Sequence, residues 1–401
     1  MFWFRKKKKN NDAFVSLGAG FYQLPLIREA KKLGFKVICI DMDSNAAGMT
    51  LADLKIQESI ENYKEIENKI NELFLEGRIR GVLSRSFGNA VKTAALLSQK
   101  IGVKLFPAER SDEIFDKRKM KLAFKEMGLS SPSTIAFKRN KIPFPYPFVI
   151  KPVSGHAKSD CRLITDESVL KAYLKAVGDE AELIAENFIE GDEIVAVGLV
   201  HKGKFFLAEI TDKEKTDPPY FVDIKHIAPS KYTHRWKEIE SIGQKIADYY
   251  SIRKSPLVME FIFTPKEEIY IIEAVPEFGG EFLCDYLIPA RSGYNIFKNM
   301  IASCSGKGFV PPDFKKNKTA VCVNYIVSKS GTIESFNPPS DKNENMVAFH
   351  MFKSIGSEVR SPKTNHDRIG VVISKARTRE EAVESASSII KHINMTLRQK
   401  K

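Results

Sequence analysis

The sequence predicts a mixed α/β and α+β protein: a doubly wound α/β domain at the N-terminus, a β-rich α+β centre, and a small α+β tail. Three observations predict it. Strand, helix and strand patterns succeed one another within about 30 residues from Ala13, the mark of a parallel βαβ unit. From Ser111 onward the pattern changes to short apolar strands with two intervening helical stretches. Pro311 and Pro312, with the run from Lys315 to Lys318, then break the chain ahead of a tail ending in one helix. The 401 residues suit two or three domains of roughly 150 residues each.

Residues 1–11 read as a disordered, solvated basic tail. Phe2, Trp3 and Phe4 precede Arg5 and Lys6 to Lys9, the reverse of the order in a secretory signal. Ala13 to Gly18 reads as a buried strand, Leu24 to Leu33 as a helix stopped by Gly34, and Lys36 to Asp41 as the next strand. A helix from Tyr63 to Leu75, a strand from Gly81 to Ser84, a helix from Ala90 to Gln99 and a strand from Val103 to Phe106 complete a domain over residues 12–112. Gly18, Ala19 and Gly20 open the first helix, and Asp41 and Asp43 follow about 20 residues on, which resembles a dinucleotide fingerprint. Gln23 stands where the third glycine belongs, so a tight strand-to-helix turn is the preferred reading.

The centre begins with a helix from Glu113 to Met127, closed by Gly128 and Pro132. Strands are expected at Phe148 to Lys151, Leu183 to Asn187, Ile194 to Val200, Lys204 to Ile210, Leu257 to Phe263 and Ile269 to Ala274. Helices are expected at Asp166 to Val177 and Lys237 to Tyr250, the latter with Ile239, Ile242, Ile246 and Tyr249 at helical spacing. In the tail, residues 318–396, Thr378 and Glu381 form a capping box ahead of Ala382, Val383, Ala386, Ile389, Ile390 and Ile393.

The 63 Lys and Arg residues outweigh the 50 Asp and Glu residues, for a net charge of +13. The lysines are spread over most of the chain, and no nucleic-acid motif accompanies them, so no nucleic-acid partner is expected. No apolar stretch approaches the roughly 18 residues of a membrane span. The cysteines number five, none at CxxC spacing, which predicts a reduced, cytoplasmic protein without a zinc site.

Three features carry chemistry. Lys117 lies in a helix, and Lys151 ends a buried strand before a small-residue loop that includes Ser154 and Gly155. A lysine so placed can hold a phosphate, although singly either reads as a solvated surface charge. Next, the strand end Glu186, Asn187, Phe188 and Ile189 offers an open backbone edge to an adenine, and Glu193 a carboxylate to ribose hydroxyls. By itself this is a hairpin with an acidic turn. Last, Glu260 and Glu273 sit in otherwise apolar strands flanking the loop Thr264 to Glu267. Pairing Phe263 with Glu268 makes them diagonal neighbours on one face, roughly 7 Å apart. Buried carboxylates are costly unless a cation lies between them, and hard oxygen ligands beside phosphates suit Mg2+. A one-residue slip would separate their faces.

Taken in order, these pieces resemble an ATP-grasp domain of the carboxylate–amine ligase type over residues 113–312. The pieces are Asp116-Lys117 with Met120-Lys121, Phe148-Val149-Ile150-Lys151-Pro152, Glu186 to Glu193, Met259-Glu260-Phe261, and Ile272-Glu273-Ala274 with Pro276 and Gly279-Gly280-Glu281. Residues 12–112 resemble the preceding domain of that family. The tail, with Arg368-Ile369-Gly370, resembles the C-terminal domain of L-amino-acid ligases and biotin-carboxylase-like enzymes. The resemblance implies a two-lobed central domain, with ATP and Mg2+ (or Mn2+) as cofactors. Lys117 and Lys151 would meet the phosphates, and the loop bearing Ser154 and Gly155 would cover them. The backbone of Glu186, Asn187, Phe188 and Ile189 would hold adenine, Glu193 ribose, and Glu260 and Glu273 the metal. His226, Glu277, Gly279 and Gly280 would face substrate, with Lys151 and Glu277 catalytic. Small-molecule carboxylate and amine partners and a homodimer are further implications.

The sequence departs from the family where Asn-Pro-Arg is usual, since Val275, Pro276 and Glu277 occupy those positions. Glu277 or Glu281 then supplies the missing oxygen, or Glu277 meets a cationic amine. The expected function is a ligase acting through an acyl phosphate. The alternatives are an ATP-binding protein without turnover and a carboxylase-like relative using bicarbonate.

Overall fold

The computed structural model describes residues 11–75, 77–139, 141–153, 160–316, 319–339 and 343–399. The first 100 residues build a parallel four-stranded sheet in the order Leu54–Gln57, Lys36–Asp41, Ala13–Leu17, Ile79–Ser84. Helices Leu24–Lys32, Tyr63–Leu73 and Asn89–Lys100 cover it. The expected strand Val103 to Phe106 does not form, and Leu54–Gln57 takes the fourth place. Val103, Leu105 and Phe106 are buried all the same. The Leu105 carbonyl accepts from the Arg253 and Lys254 amides at 2.7 and 3.0 Å, so this apolar run seals the join to the central sheet instead of pairing as a strand.

The centre has two sheets. The smaller is antiparallel, in the order Thr134–Ala136, Leu183–Asn187, Phe148–Pro152, Arg162–Ile164. Its core is Phe148, Ile150, Ile164, Leu170 and Tyr173, under helix Glu167–Val177. The larger sheet has eight antiparallel strands: Ile269–Val275, Lys254–Phe263, Asp192–His201, Lys204–Lys215, Asp223–Ala228, Ala320–Ile326, Gly370–Ala376 and Met346–Met351. The last three belong to the tail. Strand Asp223–Ala228 pairs with Ala320–Ile326 from Lys225 against Asn324 to Ala228 against Val321. The chain break after Pro312 is therefore bridged by a continuous hydrogen-bond ladder.

Helix Trp236–Tyr249 packs on this sheet through Phe205. A Cβ at Gly198 or Gly243 would meet that ring at 2.5 or 2.3 Å, so both glycines admit it. Helix Arg379–His392 closes the tail, starting at the Thr378 and Glu381 capping box. The expected helix Glu113 to Met127 is two pieces, Ser111–Phe115 and Lys117–Glu126. Asp116 breaks it by accepting from the Arg118 and Lys119 amides at 2.8 and 3.3 Å, which is N-cap chemistry. Among the described residues no helix is long and apolar enough to cross a membrane.

Candidate active site

Lys117 begins its helix because Asp116 caps it, and Lys151 lies near the end of a buried strand. Lys151 Nζ sits 2.7 Å from Glu186. Val149 stands opposite Glu186 across the ladder, which places the carboxyl beside the lysine two residues on. Lys121 is 3.5 Å from the same carboxyl and donates to the Ile272 carbonyl at 2.6 Å. Burial opposes charge on Glu186, but Lys151 and Lys121 outweigh it and hold the carboxyl at about 2. Burial pushes Lys121 down to about 8 and also lowers Lys117, with Glu273 partly restoring it. Lys151 is raised despite burial, through Glu186.

The sign of the Glu186 effect gives a test. Its folded value lies below the ordinary 4.5, so its contribution is complete above pH 4.5 and lost as pH falls towards 2. The full swing is about 3 kcal/mol. Glu186→Gln should be less stable than the parent at pH 7, with the gap narrowing by pH 3 in denaturant titrations. A gap constant with pH would refute the pairing.

Past Glu186 the chain leaves the strand. Among the described residues no backbone hydrogen bond engages the N–H or C=O of Phe188 or Ile189, so the edge expected to meet an adenine is open. Asn187 is tied back, its side-chain oxygen accepting from the Ser133 amide at 2.6 Å. Glu193 is buried between Lys213, at 3.1 Å, and Lys215, at 2.5 Å.

Glu260 and Glu273 are directly opposed across their two strands. The expected diagonal pairing is corrected by a bulge. Phe263 faces Ile269 and not Glu268, and the register shifts again between Glu260 and Phe261. The extra residue on the partner strand returns both carboxylates to one face, with Cβ atoms roughly 5 Å apart. Glu260 is 2.8 Å from Lys213. Glu277 adds a third acid; burial, then the charges of Glu273 and Glu260, push its carboxyl up to about 8. Among the described residues no three acidic, His or Cys side chains close on one point as a ready-made cage. The donor set is an opposed pair of hard carboxylates beside a group that retains its proton in their field. That chemistry fits a divalent cation completed by substrate phosphates.

The Glu277 turn leads into a second constellation. Gly279 has φ +68°, and a Cβ there would press on Val258 at 3.0 Å, while nothing lies within 4 Å of a Gly280 Cβ. Glu281 accepts from Arg368 at 2.8 Å and meets His226 Nε2 at 3.2 Å. His226 is fully buried, and its Nδ1 is 3.2 Å from the Thr211 hydroxyl. Arg368 lies over the Tyr325 ring at 3.8 Å. Burial opposes the Glu281 charge, but Arg368 and His226 keep its carboxyl well below the usual carboxylate range.

Ser154 and Gly155, the expected phosphate loop, lie outside the described residues. The sequence reading quoted Lys121 and Arg368 within motifs but gave them no role, and it passed over Lys213 and Asp223. Lys213 is the least legible: a lysine amid strand residues reads as solvent-facing, yet only 1% of its side chain is exposed. Its three carboxylate partners come from three other strands.

Residues 144–285 match the ATP-grasp domain family, and residues 324–398 match L-amino acid ligase C-terminal domain 2. The formate-dependent phosphoribosylglycinamide formyltransferase of Nitratiruptor sp. is 22% identical, over 96% of this chain and 98% of its own. The crystal structure of L-amino acid ligase from Bacillus licheniformis superposes with a TM-score of 0.81 at 17% identity, over 98% of this chain and 100% of that one. The biotin carboxylase domain of Hydrogenobacter thermophilus 2-oxoglutarate carboxylase, solved with MgADP and bicarbonate, gives 0.72 at 19% identity, over 96% and 91% of the two chains.

Proposed function

We propose that this protein, with its ATP-grasp domain, is an ATP- and Mg2+-dependent carboxylate–amine ligase of the cytoplasm that works through an acyl phosphate. One observation carries the reading. Buried Lys121, 3.5 Å from Glu186 of the smaller sheet, donates at 2.6 Å to the carbonyl of Ile272, the residue before Glu273 in the larger sheet, so the lysines around Glu186 border the strand that carries one of the opposed carboxylates. Lysines on one side and carboxylates able to hold a cation on the other suit a nucleotide triphosphate.

In this reading Lys117 and Lys151 hold phosphate oxygens, the Phe188 and Ile189 edge meets adenine, and Glu193 meets ribose. Glu260 and Glu273 would hold Mg2+, which when bound neutralises phosphate charge and draws electrons from the transferring group. A substrate carboxylate oxygen attacks the γ-phosphorus, the bond to ADP breaks, and an acyl phosphate forms. The amine nitrogen then attacks the acyl carbon, the carbon–oxygen bond to phosphate breaks, and an amide remains. Glu277 keeps its proton to about pH 8. A cation held by Glu260 and Glu273 would relieve the charge that raises the Glu277 carboxyl, and Glu277 would then serve as the base toward the amine.

The relative named above is a formyltransferase of phosphoribosylglycinamide, and the solved neighbour is a ligase of L-amino acids. The two names differ in whether the substrate carries a phosphate. The test is to incubate the protein with ATP, Mg2+ and paired carboxylates and amines, and to measure phosphate release with hydroxylamine as a trap. Phosphate and hydroxamate formed only with a carboxylate present is the expected result. ATP binding without release on any pair would leave a nucleotide-binding protein, and release that depends on bicarbonate would make it a carboxylase.

A further inference from the structure

The two central sheets meet at a second place, away from Lys121. The loop from Thr216 to Val222 joins strand Lys204–Lys215 of the larger sheet to strand Asp223–Ala228. It reaches the edge strand of the smaller sheet, Arg162–Ile164, where the Leu163 amide donates to the Pro219 carbonyl at 3.1 Å. Beside that bond the Arg162 guanidinium lies over the Tyr220 ring, 4.6 Å from its centroid. Lys363 of the tail approaches the same ring at 5.8 Å. One tyrosine thus stands between a cation of the smaller sheet and a cation of the tail.

Each party to this contact is held in place. The loop is closed at its base by the Thr216 amide donating to the Val222 carbonyl at 2.8 Å and the Val222 amide to the Thr216 hydroxyl at 3.1 Å. Phe221 is a buried non-glycine residue at φ 54°, a costly backbone kept where its surroundings require it. The Lys215 ammonium lies 4.7 Å from its ring. The Lys363 and Thr364 amides each donate to Asp367 at 2.9 Å. Arg162 also lies over Tyr173 at 5.6 Å, and among the described residues its buried Nε has no hydrogen-bond partner. Ring faces take the place of the missing acceptor.

The contact borders the nucleotide groups from both sides. Arg162 stands opposite Ile150 across the ladder, next to Lys151. On the other side Lys215, just before the loop, meets Glu193 at 2.5 Å, and Asp223, just after it, lies 3.6 Å from Lys213. Lys121 joins the sheets at the edge strand Ile269–Val275 of the larger one. Two attachments on different strands fix an angle that one alone leaves free, and a misplacement of about 1 Å between reacting groups is strongly felt.

We propose that Tyr220 is a positioning residue that, through Arg162, holds the smaller sheet and its Lys151 at working distance from the larger sheet. The proposal rests on the ligase reading for what lies between the sheets, but the contact is tested without nucleotide.

The test is hydrogen exchange at the Leu163 amide of the whole protein, followed by binding of a non-hydrolysable ATP analogue with Mg2+. Tyr220→Ala should speed the exchange and weaken analogue binding, each about tenfold, while Tyr220→Phe, which keeps the ring, should match the parent. Arg162→Met should weaken binding to a similar extent, and adding Tyr220→Ala to it should cost nothing further. Unchanged Leu163 exchange in Tyr220→Ala, equal losses in Tyr220→Phe and Tyr220→Ala, or additive losses in the double variant would each overturn the proposal. Ring-dependent exchange with analogue affinity the same in all variants would overturn it too, since the contact would then position nothing. A parent that binds no analogue while Leu163 exchange follows the ring would sustain the hold on the smaller sheet and refute the ligase reading alone.

Discussion

Glu273→Gln should lower ATP turnover by about 10²–10³-fold while leaving the unliganded protein as stable as its parent or more so. The magnitude is that of removing one preorganised electrostatic group from a transition state. The stability sign comes from the sheet. Glu273 is directly opposed to Glu260, and like charges directly opposed across two strands destabilise the pair. Among the described residues no ion pair within 4.0 Å engages Glu273, and the lysines that attract it, Lys117 foremost, act from farther off. Its removal also withdraws the stronger of the two charges that add to burial in pushing the Glu277 carboxyl up. Glu260→Gln should behave differently, because Glu260 is one of three acids around Lys213. The same loss of turnover should come with a loss of stability. Phosphate-release rates and melting curves on the two variants decide the matter. Parent-like turnover in Glu273→Gln would remove the metal pair from the proposal.

How far the chain could be read depended on whether the signal was local. Strand Leu183–Asn187 and the capping box at Thr378 were legible to the residue, because an apolar run or a cap is complete within its own few positions. The Asp116 break was missed, although Asp ahead of a helical run is itself a cap signal. Val103 to Phe106 was apolar enough for a strand but was buried by contact with residues about 150 positions later, which no local pattern carries. The bulge that aligns Glu260 with Glu273 leaves no mark in the alternation of either strand. Glu281 and Arg368 meet across 87 residues of sequence. They could be suspected only where Glu281 stood out as an extra acid beside the missing Asn and Arg. The eight-stranded sheet was hidden for the same reason, since prolines mark a change of chain direction and not the end of a ladder.

Lys213→Met tests the least legible of these residues, and its outcome follows from desolvation. Lys213 has 1% of its side chain exposed and lies 3.1 Å from Glu193, 3.6 Å from Asp223 and 2.8 Å from Glu260. Burial works against its charge, but Asp223, Glu260 and Glu193 hold its pKa well above the usual lysine value. The ammonium is what makes three neighbouring acids tolerable. Removing one partner of a buried ion pair typically costs about 3–5 kcal/mol, because the remaining charge is left unpaired. Methionine keeps the shape and deletes only the charge, so the melting temperature should fall steeply. Lys213→Arg, which keeps the charge, should lose much less. Because one of the stranded acids is Glu260, a divalent cation can replace part of the lost charge. Millimolar Mg2+ should therefore raise the melting temperature of Lys213→Met more than that of the parent. The same lysine ties the acid proposed for ribose to an acid proposed for the metal, so the KM for ATP should rise in Lys213→Met beyond any change in kcat. A variant as stable as the parent, or one equally indifferent to Mg2+, would mean that the three acids do not share the charge of Lys213.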